Sequence, residues 1–217
     1  MNLQDQLDHK KDEVLAQLSD DVKEKMTNFA FKLGQSGIVE KSLGLGQKIP
    51  PFSLPNVSGK PVNIQDLLNQ GPVVLSFYRG AWCPYCNLEL QALKRVNSKI
   101  ESLGAQLVAI SPQIPDQSLS LQEKLSLPFE VLSDVGNIVA RSFGLVFRLG
   151  EELRPIYKEF GINIPAYNGD DKWELPIPAT YVIKPDGTII LDFVNSDYTK
   201  RLNPEDILSA LKVIQVA

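Results

Sequence analysis

The sequence predicts an α/β protein, with a mixed central sheet covered by helices on both faces and a helical N-terminal extension over residues 1–45. Three observations predict it. From residue 46 to residue 217, short apolar runs of strand type alternate with amphipathic segments of helical period. Their order is β-α-β-α-β, then a β-hairpin closed by Lys184-Pro185-Asp186-Gly187, then a last helix, which gives a mixed sheet with helices on both sides. Ahead of them, Leu7, Val14, Leu18, Val22, Met26, Phe29 and Leu33 fall at steps of helical period and mark residues 3–33 as helical.

Within that first segment Ser19 is placed to cap a second helix, and Gly34 is a natural stop. The stretch GQSGIVEKSLGLGQKIPP, rich in glycine and closed by two prolines, separates the extension from the domain spanning 46–217. The polar face of the extension is acidic, so its apolar stripe is expected to pack on the main domain or on a sister subunit, as in a homodimer, and not on a membrane. The strands expected next are Val73–Tyr78, Leu107–Ser111, Phe129–Leu132, Ala179–Ile183 and Thr188–Val194. The helices expected between and after them are Cys83 to Leu103, Gly136–Phe143, Glu151–Phe160, and one that starts at Asn203-Pro204-Glu205, with asparagine as cap and proline in the first turn.

The bulk numbers narrow the function. A chain of 217 residues with 43% hydrophobic and 22% charged residues has the composition of a globular protein with a sizeable core. A net charge of −4, without a basic patch, argues against nucleic acid as a partner. No apolar run reaches membrane-spanning length and the N-terminus lacks a secretory pattern, so the expected location is the cytoplasm.

Only two cysteines occur, Cys83 and Cys86, inside YRGAWCPYC. A CxxC pair closes almost no loop, so it contributes little as a structural staple. A structural zinc site takes four ligands, which one CxxC and the lone His9 do not supply, and no other metal or cofactor is called for. Inert core cysteines or redox chemistry remain, and the strand–loop–helix setting favours redox chemistry. With Cys83 as N-cap, Pro84 falls at N1, where its missing N–H costs nothing, and Cys86 falls at N3. The Cys83 sulfur then sits over unpaired N–H groups at the positive end of the helix dipole, which favours the nucleophilic thiolate. Arg79 adds a positive charge in the same loop, and Trp82 is expected to pack beside the pair. Pro178, at the entry to the strand ATYVI, reads either as a cis-proline or as a simple edge-strand proline. His9 reads as solvated, Glu89 as a complement to the helix dipole, and Trp173 as a packing anchor or a lid.

The stretches IPPFSLPNVSGKPVNI, VVLSFYRGAWCPYC, FEVLSDVGNIVARSFGL, LPIPATYVIKPDGTI and SDYTKRLNPEDILSAL resemble the peroxiredoxin and alkyl hydroperoxide reductase branch of the thioredoxin superfamily, in particular its CxxC-bearing group. The resemblance spans nearly all of 46–217. It implies a thioredoxin-like fold, a thiol-dependent peroxidase acting on hydrogen peroxide or alkyl hydroperoxides, and recycling by a thioredoxin- or glutaredoxin-type dithiol. Laid on the family pattern, Cys86 takes the peroxidatic position, Cys83 the threonine position and Arg79 the proline position, while Pro178 stands where a later-strand arginine is expected. Pro178 and the Trp–Cys–x–x–Cys order are similar to thioredoxin instead, although Ser76 stands near the place of thioredoxin's buried acid. The two matches nominate different attacking sulfurs. Capping favours Cys83, on the expectation that an N-cap side chain is the more accessible one. Arg201 reads as a surface arginine, with a second role as a donor to the peroxide oxygens. The other functions compatible with the sequence are a general thiol–disulfide oxidoreductase and a non-enzymatic redox-sensing module.

Overall fold

A computed structural model describes residues 2–216 of the chain. Asn2 starts the first helix by a capping box: its side chain accepts from the Asp5 N–H, and the Asp5 carboxylate accepts from the Asn2 N–H. The extension comprises α1 (Leu3–Ala16), α2 (Asp20–Gln35) and the single turn α3 (Ile38–Lys41). Ser19 caps α2 by accepting from the Val22 N–H, so the apolar stripe is divided between two helices; α2 runs one residue past Gly34.

The remaining elements are β1 (Ser53–Pro55), β2 (Pro61–Asn63), α4 (Ile64–Leu68), β3 (Val73–Phe77), α5 (Pro84–Ser102), β4 (Gln106–Ser111), α6 (Pro115–Leu125), β5 (Glu130–Ser133), α7 (Ile138–Ser142), β6 (Val146–Arg148), α8 (Arg154–Glu159), α9 (Ile164–Asn168), β7 (Glu174–Pro176), β8 (Ala179–Ile183), β9 (Ile189–Val194) and α10 (Pro204–Val216). The central sheet has the order β5-β4-β3-β8-β9; β3, β4 and β5 are parallel, and β8 runs antiparallel to both β3 and β9. Two small antiparallel ribbons, β1 with β2 and β6 with β7, and the helix α6 carry no clear sequence signal. The expected helix over 151–160 divides into a 3₁₀ turn, Glu151–Leu153, and α8. The one over 136–143 shortens to α7, because Asn137 takes φ 57° and the Asp134 carboxylate accepts from the N–H groups of Val139 and Ala140.

Strand β3 lies in the middle of the sheet and every one of its residues is buried, which is why it reads as a continuous apolar run. Its side chains alternate between two cores. Val74 joins Leu90 and Leu93 of α5 and Ile207 and Leu211 of α10 on one face. Leu75 and Phe77 join Ile64, Leu68, Phe143 and Tyr181 on the other. Leu3 and Leu7 of α1 are buried in the first core, so the extension packs on the main domain through α5. Met26 and Phe29 of α2 lie against a third cluster around Leu153, Tyr157 and Trp173, with the Phe29 and Phe147 rings 6.0 Å apart. Trp173 is buried there and is a packing anchor, not a lid. Helix α1 thereby packs on α5, at whose start the cysteines lie, and α2 packs on the cluster that includes Tyr157.

Candidate active site

The site begins where β3 ends. Tyr78 still donates its N–H to Ile110, and the chain then turns away from the sheet over residues 79–83. The turn is pinned by three contacts: Ala81 N–H to the buried Gln113 side chain at 2.6 Å, Asn87 Nδ2 to the Ala81 carbonyl at 2.9 Å, and Cys83 N–H to the Gly80 carbonyl at 3.0 Å. Gly80 has φ 151°, and a Cβ placed on it would lie 2.4 Å from the indole nitrogen of Trp82, so only glycine fits. Helix α5 starts as the sequence predicts, with Cys83 as N-cap, Pro84 at N1 and Cys86 at N3.

The Cys83 sulfur is surrounded by donors. It accepts from Arg79 Nη2 at 3.0 Å, from the Cys86 backbone N–H at 3.4 Å, and from the Cys86 thiol at 2.9 Å. Burial alone would raise its pKa; the Cys86 thiol, Arg79 and Arg201 together outweigh that and hold it well below the ordinary thiol value. Cys86 moves the other way. Burial raises it, and so does the negative charge on its neighbour, against the weaker pull of the arginines. The two sulfurs, 2.9 Å apart, are thus pushed in opposite directions, Cys83 toward the thiolate and Cys86 toward the thiol.

Arg79 is itself buried and held in an aromatic cage. Its guanidinium lies 3.9 Å from the Tyr198 ring centre and 5.1 Å from that of Trp82, and Nη1 donates to the Tyr157 hydroxyl at 3.3 Å. Trp82 meets Tyr157 edge to face at 5.7 Å, as packing beside the pair requires. No carboxylate of the described residues pairs with Arg79, so the Cys83 thiolate is its counter-ion.

Arg201 corrects the surface reading. It is buried, its Nε donates to Glu89 Oε2 at 2.5 Å, and its Nη2 reaches the Cys86 sulfur at 3.4 Å. Its Nη1 donates to the carbonyls of Tyr198 and Lys200. Glu89, expected only to complement the helix dipole, is a buried carboxylate that pairs with Arg201 and also accepts from Thr180 Oγ1 at 3.4 Å. Burial pushes its pKa up to about 7, against the pull of Arg201 and with a further upward push from Cys86. Two more expectations change. Cys83 is not the accessible sulfur, since both cysteines are fully buried. Pro178 is not a cis-proline: all peptide bonds of the described residues are trans, and Pro178 lines the same small apolar pocket as Arg79 and Tyr157. His9 is exposed and pairs with Glu13. Nothing local in the sequence marks Tyr157 and Tyr198; they reach Arg79 from α8 and from the segment after β9.

A five-stranded mixed sheet that delivers a buried cysteine pair at the start of its long helix is the arrangement of a thioredoxin-like fold. Residues 45–191 match the sequence model of the AhpC/TSA family, and the chain belongs to that family. It is similar to a chloroplastic peroxiredoxin Q of Sedum lineare, 33% identical over 100 residues, a match covering 46% of this chain and 53% of the plant protein. The chain thus spans about half the length of that relative. A putative peroxiredoxin of Mycobacterium tuberculosis is 26% identical over 170 residues, with 78% of this chain and 97% of the relative covered. The fold is shared with the crystal structure of peroxidoxin BcpB from Mycobacterium tuberculosis, at a TM-score of 0.63 and 23% identity, covering 79% of this chain and 98% of the other.

Proposed function

We propose that the protein is a thiol-dependent peroxidase in which Cys83 attacks the peroxide and Cys86 resolves the product. The observation that carries this reading is the buried Cys83 sulfur, held as a thiolate by Arg79 at 3.0 Å with a second thiol 2.9 Å away. The thiolate attacks the terminal oxygen of a hydroperoxide; an S–O bond forms as the O–O bond breaks. Sulfur is oxidised by two electrons to a sulfenic acid, and the other oxygen leaves as hydroxide or alkoxide and takes a proton from water. Arg79, whose Nε has no protein partner, supplies positive charge where the leaving oxygen gains negative charge. The Cys86 thiol then displaces that hydroxyl from the Cys83 sulfur, giving the disulfide and water. An external dithiol of thioredoxin or glutaredoxin type restores the pair by exchange and is itself oxidised to a disulfide. This cycle suits a reducing compartment such as the cytoplasm.

A general reductase of protein disulfides is the weaker reading. Such an enzyme must offer its reduced thiolate to a large partner, and in the reduced protein Cys83 lies buried beside Arg79 and its aromatic cage, whereas recycling of a peroxidase engages only the oxidised pair. The test is steady-state turnover with a thioredoxin system and either hydrogen peroxide or insulin as oxidant. Catalytic peroxide consumption with slow insulin reduction is expected. A single stoichiometric oxidation of the thiols with no turnover would remove the peroxidase reading.

A further inference from the structure

Tyr157, on α8, holds a phenol against Arg79 that the cycle of the two sulfurs leaves idle. Its oxygen accepts from Arg79 Nη1 at 3.3 Å, while Nη2 of the same guanidinium lies 3.0 Å from the Cys83 sulfur. One planar fork therefore fixes the nucleophile and the phenol together. The phenol's own hydrogen has no acceptor among the described residues, so its capacity to donate is unspent. Trp82 holds the buried ring in place, meeting it edge to face at 5.7 Å. Tyr157 and Arg79 nevertheless line an open cleft of about 400 Å³, through which a small molecule and water reach them.

Cleavage of a peroxide puts negative charge on the departing oxygen. Hydroxide and alkoxides are strong bases, so they leave faster when a proton arrives in the same step. The neighbouring groups are poorly placed to give one. Arg79 stays protonated in proteins. The Cys86 thiol is directed at the Cys83 sulfur. Tyr198 turns its ring face to Arg79, at 3.9 Å, and Glu89 is taken up by Arg201 and Thr180. Tyr157 is better prepared. Burial raises its pKa against the pull of Arg79, so the phenol carries its proton at neutral pH. Once that proton is given up, the phenolate already faces Arg79 Nη1.

We infer that Tyr157 is a further catalytic residue, the general acid that protonates the departing oxygen while Cys83 attacks the other. The inference rests on the peroxidase reading and adds the route of its proton. The Cys83 thiolate forms an S–O bond as the O–O bond breaks, and the electron pair of the broken bond goes to the departing oxygen. That oxygen takes the Tyr157 proton and leaves as water or an alcohol. The phenolate regains a proton from water in the cleft, so water supplies the proton overall, by way of Tyr157. Sulfur alone is oxidised.

The experiment measures the second-order rate of the first oxidation by stopped-flow tryptophan fluorescence, in the full-length wild type and in Tyr157→Phe. The oxidants are hydrogen peroxide and peracetic acid. Phenylalanine keeps the ring and its packing on Trp82 and removes only the hydroxyl. Peracetic acid releases acetate, a weak base that needs no proton. Tyr157→Phe is expected to slow the reaction with hydrogen peroxide by about 10²-fold and to leave that with peracetic acid within about 3-fold of the wild type. Equal losses with the two oxidants overturn the inference, since a phenol that only orients Arg79 would slow both alike. No loss with either also overturns it. A second reading needs no variant: in deuterium oxide the wild type is expected to react more slowly with hydrogen peroxide and at an unchanged rate with peracetic acid. Equal isotope effects count against the acid role and leave the peroxidase reading standing. A wild type that hydrogen peroxide does not oxidise removes the peroxidase reading itself.

Discussion

Cys83 and Cys86 occupy one turn of the same helix, are equally buried, and each has a buried arginine within 3.4 Å, yet they titrate in opposite directions. The difference lies in what else the arginines touch. Arg201 is shared between the Cys86 sulfur at 3.4 Å and the Glu89 carboxylate at 2.5 Å. Arg79 meets only ring faces and a phenol hydroxyl, and its charge is available to Cys83. Helix geometry adds to the same side, since the N-cap sulfur accepts a backbone N–H that the N3 sulfur does not. The sulfurs themselves complete the split: the Cys86 thiol donates to Cys83 and lowers it, and the charge on Cys83 raises Cys86.

The most severe way to break the pair is to remove one sulfur at a time. Cys83→Ser is expected to bring peroxide reduction to background, a loss on the order of 10³-fold or more. Cys86→Ser retains the first oxidation and stops turnover, leaving a sulfenic acid that a dimedone-type probe traps after one equivalent of peroxide. Trapping in Cys83→Ser and not in Cys86→Ser would reverse the assignment. Less severe is Arg79→Met, which keeps the apolar stem and removes the charge. It is expected to raise the Cys83 pKa, read from thiolate absorbance against pH, and to slow the reaction with peroxide by on the order of 10²-fold. An unchanged titration would mean that capping alone sets the thiolate.

The gentlest change is Glu89→Gln, which leaves Arg201 uncompensated. The Cys86 pKa is then expected to fall, narrowing the contrast between the sulfurs, as measured in the Cys83→Ser background. The same variant has a stability signature. The Glu89 pKa is raised from 4.5 in the unfolded chain to about 7 in the folded one, so folding takes up a proton between those values. Its contribution to stability is fully present below 4.5 and is lost as pH rises through about 7, with a slope of at most about 1.4 kcal/mol per pH unit. Urea unfolding across that window reads this slope, which is expected to vanish in Glu89→Gln; a slope equal to that of the wild type would place the titration elsewhere.

What the sequence made legible was local. The N-cap position of Cys83, Pro84 at N1, Ser19 at the start of α2, and Asn203 ahead of α10 are all visible, because each signal lies within a turn of its effect. The hairpin at 184–187 and the buried run of β3 are legible for the same reason. Arg79, in the same loop, is legible too, but the partners that surround the arginines are not. Arg201 reaches Glu89 across 112 residues, and Tyr157 reaches Arg79 across 78, through contacts that exist only once the sheet has formed. Exposure is illegible in a similar way. An N-cap is accessible on an isolated helix, but here Cys83 is packed in the first core with Leu3 and Leu7 of α1, beside Arg79 and its aromatic cage.

The 2.9 Å gap between the two sulfurs also sets a race. A sulfenic acid faces two fates: a second peroxide drives it to the irreversible sulfinic and sulfonic acids, or a thiol condenses with it. A peroxide molecule must diffuse in, so its rate scales with how much oxidant is present, whereas the neighbouring thiol is already in place at an effective concentration of about 10⁵ M or more. An S–S bond of about 2.05 Å is then reached by a shift smaller than 1 Å. Inactivation should therefore require oxidant concentrations far beyond those that saturate turnover, which suits this chain to work through an oxidant burst and not merely to register one.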